Sequence, residues 1–228
     1  MCGIFGIVSK TAVNPQQFRL MAEANKQRGN LAFGVLTAEN GRENSPVTVS
    51  RYPDPFRPEM VQFGDVRVAL GHIRAPTAGQ TRNTAELHPF SADNLYLAHN
   101  GLLLNYTAFP QWRLNSAVAV DSQVILGGIY ANREQGITAA IEMTVAQLEG
   151  QQACWLWSAE EAALYLWRIM SPIYALTNDD QFLFSSIKIA PEMTLLSEGI
   201  VYRLENGRTE LEEVGKFAFD SPYLIGSG

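Results

Sequence analysis

Met1-Cys2-Gly3-Ile4-Phe5-Gly6-Ile7-Val8 stands at the head of the chain, and the reading of this stretch decides the rest. Ile4, Phe5, Ile7 and Val8 form an apolar run that reads as a buried strand. A strand held inside a sheet fixes a chain end that would otherwise fray. Gly3 and Gly6 leave room for close backbone approach. Loss of Met1 would leave Cys2 carrying a thiol and a free α-amino group on one residue. The thiolate is a strong nucleophile. An α-amine titrates at roughly 7.7–8, so at neutral pH a useful fraction can accept the thiol proton. One residue can then supply both nucleophile and base. The plainer alternative is that Cys2 is only the second residue and the run only the first core strand.

A length of 228 residues fits one large domain or two small ones. Apolar residues at 46% and charged residues at 18% are the proportions of a globular protein with a sizeable core. Lys and Arg number 17 against 23 Asp and Glu, a net charge of −6. That balance disfavours nucleic acid and anionic membrane surfaces as partners. Cys2 and Cys154 are the two cysteines. Cys154, within Gln151-Gln152-Ala153-Cys154-Trp155-Leu156-Trp157, reads as a buried strand thiol. No structural disulfide is expected, and a cytoplasmic setting fits reduced cysteines. The sequence shows no basic-then-apolar leader and no run of 18 apolar residues. Neither secretion nor membrane spanning is therefore expected.

Asn14-Pro15 reads as an N-cap followed by proline at the first helical position. Phe18, Met21, Ala22 and Asn25 fall on one face of the helix that follows, and Arg28-Gly29 ends it, with glycine as a left-handed cap. Residues 31–37 and 47–51 read as a hairpin, and 65–73 as a half-buried strand in which Val66, Val68 and Leu70 alternate with polar or small residues. A short strand at 95–98 ends in His99-Asn100-Gly101, a turn signal. Residues 120–132, begun by Asp121 or Ser122, and 137–148 read as helices. Beyond them strands are expected at 153–157, 163–168, 173–176, 182–185, 200–204 and 216–219. Strands, then helices, then strands point to an α+β arrangement of two sheets faced by helices.

Chemistry gathers in three further places. Arg74 sits where a strand gives way to the long polar loop 74–84, and its planar fork suits a carboxylate. A surface arginine paired with a nearby acid is the plainer reading. Asn100 and Gly101 could aim a side-chain NH₂ and a backbone N–H at one oxyanion, each such donor contributing roughly 3 kcal/mol at a transition state. An ordinary Asn-Gly hairpin is the alternative. Asp121 caps a helix or pairs with a substrate ammonium.

Taken in order behind Cys2, these segments resemble the class II glutamine amidotransferases, the glutaminase family with an N-terminal nucleophile (Ntn). The resemblance rests on Met1–Gly6, Arg28-Gly29 with Ala32 and Gly34, Gly71–Gly79, His88-Pro89, His99-Asn100-Gly101 and Asp121, and more weakly on 184–188 and 199–202. Gly71–Gly79 is most like the version in amidophosphoribosyltransferase. The family implies a four-layer αββα sandwich, here one domain over 1–228. It also implies hydrolysis of L-glutamine to glutamate and ammonia through a γ-glutamyl thioester, without metal or organic cofactor. By the resemblance, Cys2 is the nucleophile, and Asn100 with the Gly101 N–H holds the oxyanion. Arg74 binds the substrate α-carboxylate, Asp121 binds its ammonium, and Thr77 lines the same pocket. Arg28 and Gly29 flank that pocket and help fix Cys2. Ala75 and Ala78 stand where some relatives carry Trp and His. His88 reads as structural. The sequence shows no nucleotide motif, so a separate ammonia-accepting synthase chain is the expected partner. A stand-alone hydrolase of another γ-glutamyl amide, and a non-catalytic docking subunit, are the alternatives.

Overall fold

The computed structural model describes residues 1–39, 45–75, 83–115 and 120–219. The chain runs β1 (Gly3–Ser9), α1 (Pro15–Asn25), β2 (Ala32–Ala38), β3 (Val47–Tyr52) and β4 (Val68–Arg74). It continues through β5 (Phe90–Ala92), β6 (Leu95–Leu103), α2 (Ser122–Asn132) and α3 (Ile137–Val145). Seven strands complete it: β7 (Gly150–Ser158), β8 (Ala163–Ile169), β9 (Tyr174–Thr177), β10 (Gln181–Ser185), β11 (Thr194–Leu195), β12 (Ile200–Glu205) and β13 (Glu212–Lys216). Two antiparallel sheets result, one ordered β11-β9-β10-β1-β4-β2-β3 and the other β13-β12-β8-β7-β6-β5.

Alternation along β1 shows how the layers stack. Phe5 and Ile7 face outward and pack with Phe18, Met21 and Ala22 of α1. Ile4 and Val8 face the second sheet and meet Trp155, Leu164 and Leu166. The outer face of the second sheet, with Leu97, Leu156 and Trp167, is covered by Val124, Ile125 and Ile129 of α2 and Ile141 and Val145 of α3. The order is therefore α1, first sheet, second sheet, then α2 with α3. This is the αββα sandwich of the Ntn type, α+β and a single domain. Asn14 Oδ1 caps α1 by accepting from the Gln16 and Gln17 N–H groups at 2.8 and 3.4 Å. The expected face of α1, Phe18, Met21, Ala22 and Asn25, is the buried one.

Three expectations about the strands need correction. The strand at β4 is buried on both faces, not half-buried, because Ala69 and Ile73 lie under α1 while Val68 and Leu70 meet the second sheet. Asn100-Gly101 is no turn: β6 runs straight through it, paired with β7 from Leu95 opposite Ser158 to Leu103 opposite Gly150. The last strand is Glu212–Lys216 and not 216–219, since its pairing with β12 sets its place and no apolar period marks it. β5 and β11, of three and two residues, were too short to show a period.

Trp155 ties the sheets together. It is fully buried, and its indole N–H donates to the Gly71 carbonyl across the interface at 3.2 Å. Trp155→Ala should destabilise the domain by about 3–5 kcal/mol. Trp155→Phe keeps most of the ring but loses the hydrogen bond to Gly71, and should cost about 0.5–1.5 kcal/mol. Urea denaturation followed by far-UV circular dichroism measures both, and the expected order is Ala worse than Phe.

Candidate active site

Antiparallel pairing places Gly3 opposite Ile73 and Ile4 opposite His72. Cys2 is thereby carried to the C-terminal end of β4, beside Arg74 and Ala75. The Ala75 N–H approaches Cys2 Sγ at 3.4 Å. Arg28 Nε donates to the Cys2 carbonyl at 2.7 Å, so the residue is gripped at thiol and backbone together. Gly29 makes this possible. Its φ of 142° and ψ of 158° are not the left-handed helical cap expected from sequence. A Cβ there would lie 2.4 Å from Ala75 Cα, so only glycine lets the Arg28 segment lie against the residue that meets the thiol.

The second sheet reaches the same place through one serine. Ser186 receives the Ile4 N–H on its hydroxyl at 3.1 Å and gives its own N–H to the Ile4 carbonyl at 2.8 Å. Asn100 Nδ2 donates to that same hydroxyl at 3.5 Å. Asn100 is wholly buried, and its Oδ1 has no hydrogen-bond partner among the described residues. Arg74 lies on the face of β4 shared with His72 and Leu70, the face turned to the second sheet. Glu86 is 3.7 Å from its Nη2, while Nη1 is buried without a hydrogen-bond partner among the described residues.

Asp121 caps α2 and joins it to β6. Oδ1 accepts from the Ser122 N–H at 2.8 Å and Oδ2 from the Leu103 N–H at 2.9 Å. Burial pushes the Cys2 thiol up, and Asp121 pushes the same way; the Ala75 N–H, the chain's terminal ammonium and Arg74 pull against them, but the net shift is upward. A protonated thiol at neutral pH needs a base to become a nucleophile.

Of the residues singled out from sequence, Cys2, Arg28, Gly29 and Arg74 converge on one end of the sheet interface, Asn100 joins them through Ser186, and Asp121 caps α2 and holds the Leu103 N–H of β6. Gly101 follows Asn100 in β6 and is exposed. Thr77 lies outside the described residues. Sequence reasoning gave no role to Ser186 or to the Ala75 N–H. A serine pair closing β10 carries no local signal, and a backbone donor carries no side-chain identity. Among the described residues, no three His, Cys, Asp or Glu side chains are grouped to share a metal ion.

No family model matches the chain. It is 30% identical over 173 residues to the amidophosphoribosyltransferase of Haemophilus influenzae, covering 68% of this chain and 34% of that protein. It is 35% identical over 108 residues to the same-named protein of Pseudomonas aeruginosa, covering 46% of this chain and 21% of that one. The chain thus spans about a third of the length of one of these relatives and about a fifth of the other. In fold it matches the glutamine phosphoribosylpyrophosphate amidotransferase of B. subtilis with a TM-score of 0.72 and 19% identity, over 93% of this chain and 49% of that one. It also matches a glutamine aminotransferase class-II domain protein from Silicibacter pomeroyi with a TM-score of 0.61 and 15% identity, over 95% and 100%.

Behind the site, the rings of His72 and His88 stack with centroids 4.1 Å apart. Burial pushes His72 down to about 3 and His88 well below the usual range, and the charge of neighbouring Arg74 lowers each further. Both therefore stay neutral in the fold while their unfolded counterparts gain protons below about 6.5. From there downward the unfolded chain binds more protons, so stability is complete above about 6.5 and falls with pH, by up to about 1.4 kcal/mol per unit for each ring. Neither ring nitrogen of His88 has a hydrogen-bond partner among the described residues. His88→Phe should accordingly keep the fold and flatten the acid limb of stability against pH. Urea midpoints between pH 7 and 4 measure it, and an unchanged slope would contradict a buried neutral His88.

Proposed function

We propose that this chain, which resembles class II glutamine amidotransferase domains in sequence and fold, hydrolyses the side-chain amide of L-glutamine with Cys2 as nucleophile. Arg74 carries the reading. Its buried Nη1, one residue before the Ala75 N–H that meets the thiol, has no hydrogen-bond partner among the described residues and is an unsatisfied donor that a ligand carboxylate would satisfy.

The steps follow from the groups present. Cleavage of the Met1–Cys2 bond frees the Cys2 α-amine; the Met1 side chain is 69% exposed. The amine takes the thiol proton, and the thiolate attacks the γ-carbonyl carbon. Charge develops on the carbonyl oxygen, where the second N–H of Asn100 Nδ2 and the Gly101 N–H hold it, each contributing roughly 3 kcal/mol. The ammonium on Cys2 returns its proton to the leaving nitrogen, the C–N bond breaks, and ammonia departs from a γ-glutamyl thioester. Water activated by the same amine then cleaves the thioester to glutamate and restores the thiol. Arg74 and Asp121 hold the α-carboxylate and α-ammonium, Thr77 lines the pocket, and Arg28 with Gly29 keeps the Cys2 backbone in place. Ammonia passes to a synthase-type partner, in line with the transferase names of the relatives.

Cys2→Ala should abolish glutamine hydrolysis with the unfolding midpoint nearly unchanged. In the parent, hydroxylamine should divert the thioester to γ-glutamyl hydroxamate, and mass spectrometry should find a mature chain beginning at Cys2. Arg74→Lys keeps the charge but loses the fork, so KM should rise about tenfold or more. Full turnover by Cys2→Ala would overturn the mechanism.

A further inference from the structure

Beside the ammonium-binding carboxylate lies a chain of hydrogen bonds that the mechanism above does not use. His99 and Ser122 are both buried, at 2% exposure each. His99 Nε2 sits 3.1 Å from the Gln151 carbonyl oxygen, and Nδ1 sits 2.9 Å from Ser122 Oγ. Ser122 Oγ is in turn 3.2 Å from Asp121 Oδ1.

For an imidazole that carries one ring proton, donor rules fix the direction of each bond. A carbonyl oxygen only accepts, so that proton sits on Nε2 and Nδ1 accepts. The Ser122 hydroxyl has a single proton, and the shorter contact to Nδ1 takes it. Among the described residues, Asp121 Oδ1 then receives only the Ser122 backbone N–H, at 2.8 Å. Its remaining lone pair and undiminished charge stay available. Gly101 protects the arrangement, since a Cβ there would lie 1.9 Å from the Gln151 oxygen and 2.6 Å from His99 Nε2.

We infer that His99 is a positioning residue for substrate specificity: it draws the Ser122 proton away from Asp121 and so keeps the carboxylate free to bind the α-ammonium of the substrate. This rests on the glutamine reading above and adds residues to it. The role selects for substrates bearing an α-ammonium over amides of the same length that lack one. Without an acceptor at the Nδ1 position, the hydroxyl turns to Oδ1 and competes with the ligand for it.

His99→Gln keeps a donor for Gln151 but offers no ring acceptor to Ser122. It should raise KM for glutamine about tenfold with kcat changed little, and leave KM for 4-carbamoylbutanoate, glutamine without its α-amine, unchanged. Adding Ser122→Ala removes the competing proton, so the double variant should recover the parental KM. A purely structural role predicts the opposite, because a second buried hydrogen bond is lost. Ser122→Ala alone should stay within about twofold of the parent, and it decides the matter if His99→Gln does not fold. The inference is overturned if KM for both substrates rises together, if the double variant is worse than His99→Gln, or if Ser122→Ala alone raises KM about tenfold. Absence of glutamine hydrolysis by the parent protein would instead overturn the functional reading itself.

Discussion

The register of β1 against β4 is the constraint on which the site depends. β1 is buried on both faces, with Ile4 and Val8 toward the second sheet and Phe5 and Ile7 toward α1. A slip of one residue would exchange the two sets and put Phe5 where Trp155 already fills the space. Gly6 and Gly71 narrow the choice further. A Cβ at Gly6 would meet the Phe184 ring at 2.5 Å, and one at Gly71 the Phe5 ring at 2.4 Å. Because the register cannot move, Cys2 has one place to be, at the end of β4 against the Ala75 N–H.

The two sheets must also agree with each other to well under an ångström if Asn100 is to serve a thiol on the other sheet. Two contacts fix them. Trp155 bonds Gly71 in the middle of the interface, and Ser186 bonds both Ile4 and Asn100 at the site. Ser186 belongs in sequence to the segment after β10 and yet sits between the first strand and the sixth. Its hydroxyl accepts from the Ile4 backbone N–H, which is immobile within the sheet, so Asn100 is referred to a fixed point.

Much of this was legible in the sequence where local chemistry and tertiary structure agree. The cap at Asn14, the buried face of α1 and the start of α2 at Asp121 each follow from a local rule, and each forms as read. Misreadings arose where small residues serve as core. Ala69 and Gly71 broke the apolar period of β4, yet they are buried because α1 and Phe5 press against them. Asn100-Gly101 has the signature of a hairpin turn, but pairing with β7 on one side overrides a dipeptide preference. β13 is Glu-Glu-Val-Gly-Lys, mostly exposed at a sheet edge, and such a strand has no apolar pattern to show. At the site, residues with side-chain chemistry could be named from sequence, whereas Ser186, the Ala75 N–H and the His99–Ser122 pair depend on folding distances alone.

In the proposed reaction, burial of the thiol favours a nucleophile and base on one residue. The sheet end that positions Cys2 also desolvates it, and the thiol is pushed up in consequence. A separate side chain acting as base would have to enter the same closed space and be desolvated in turn. His72 shows the outcome, since burial and neighbouring charge hold it near 3, far too weak to take a thiol proton. His88 is lowered in the same way. An α-amine on the nucleophile itself needs no additional space, stands at a distance fixed by covalent bonds, and titrates near neutrality at roughly 7.7–8. Under the proposed mechanism, the interior that denies these histidines a proton leaves an α-amine on Cys2 as the base that fits.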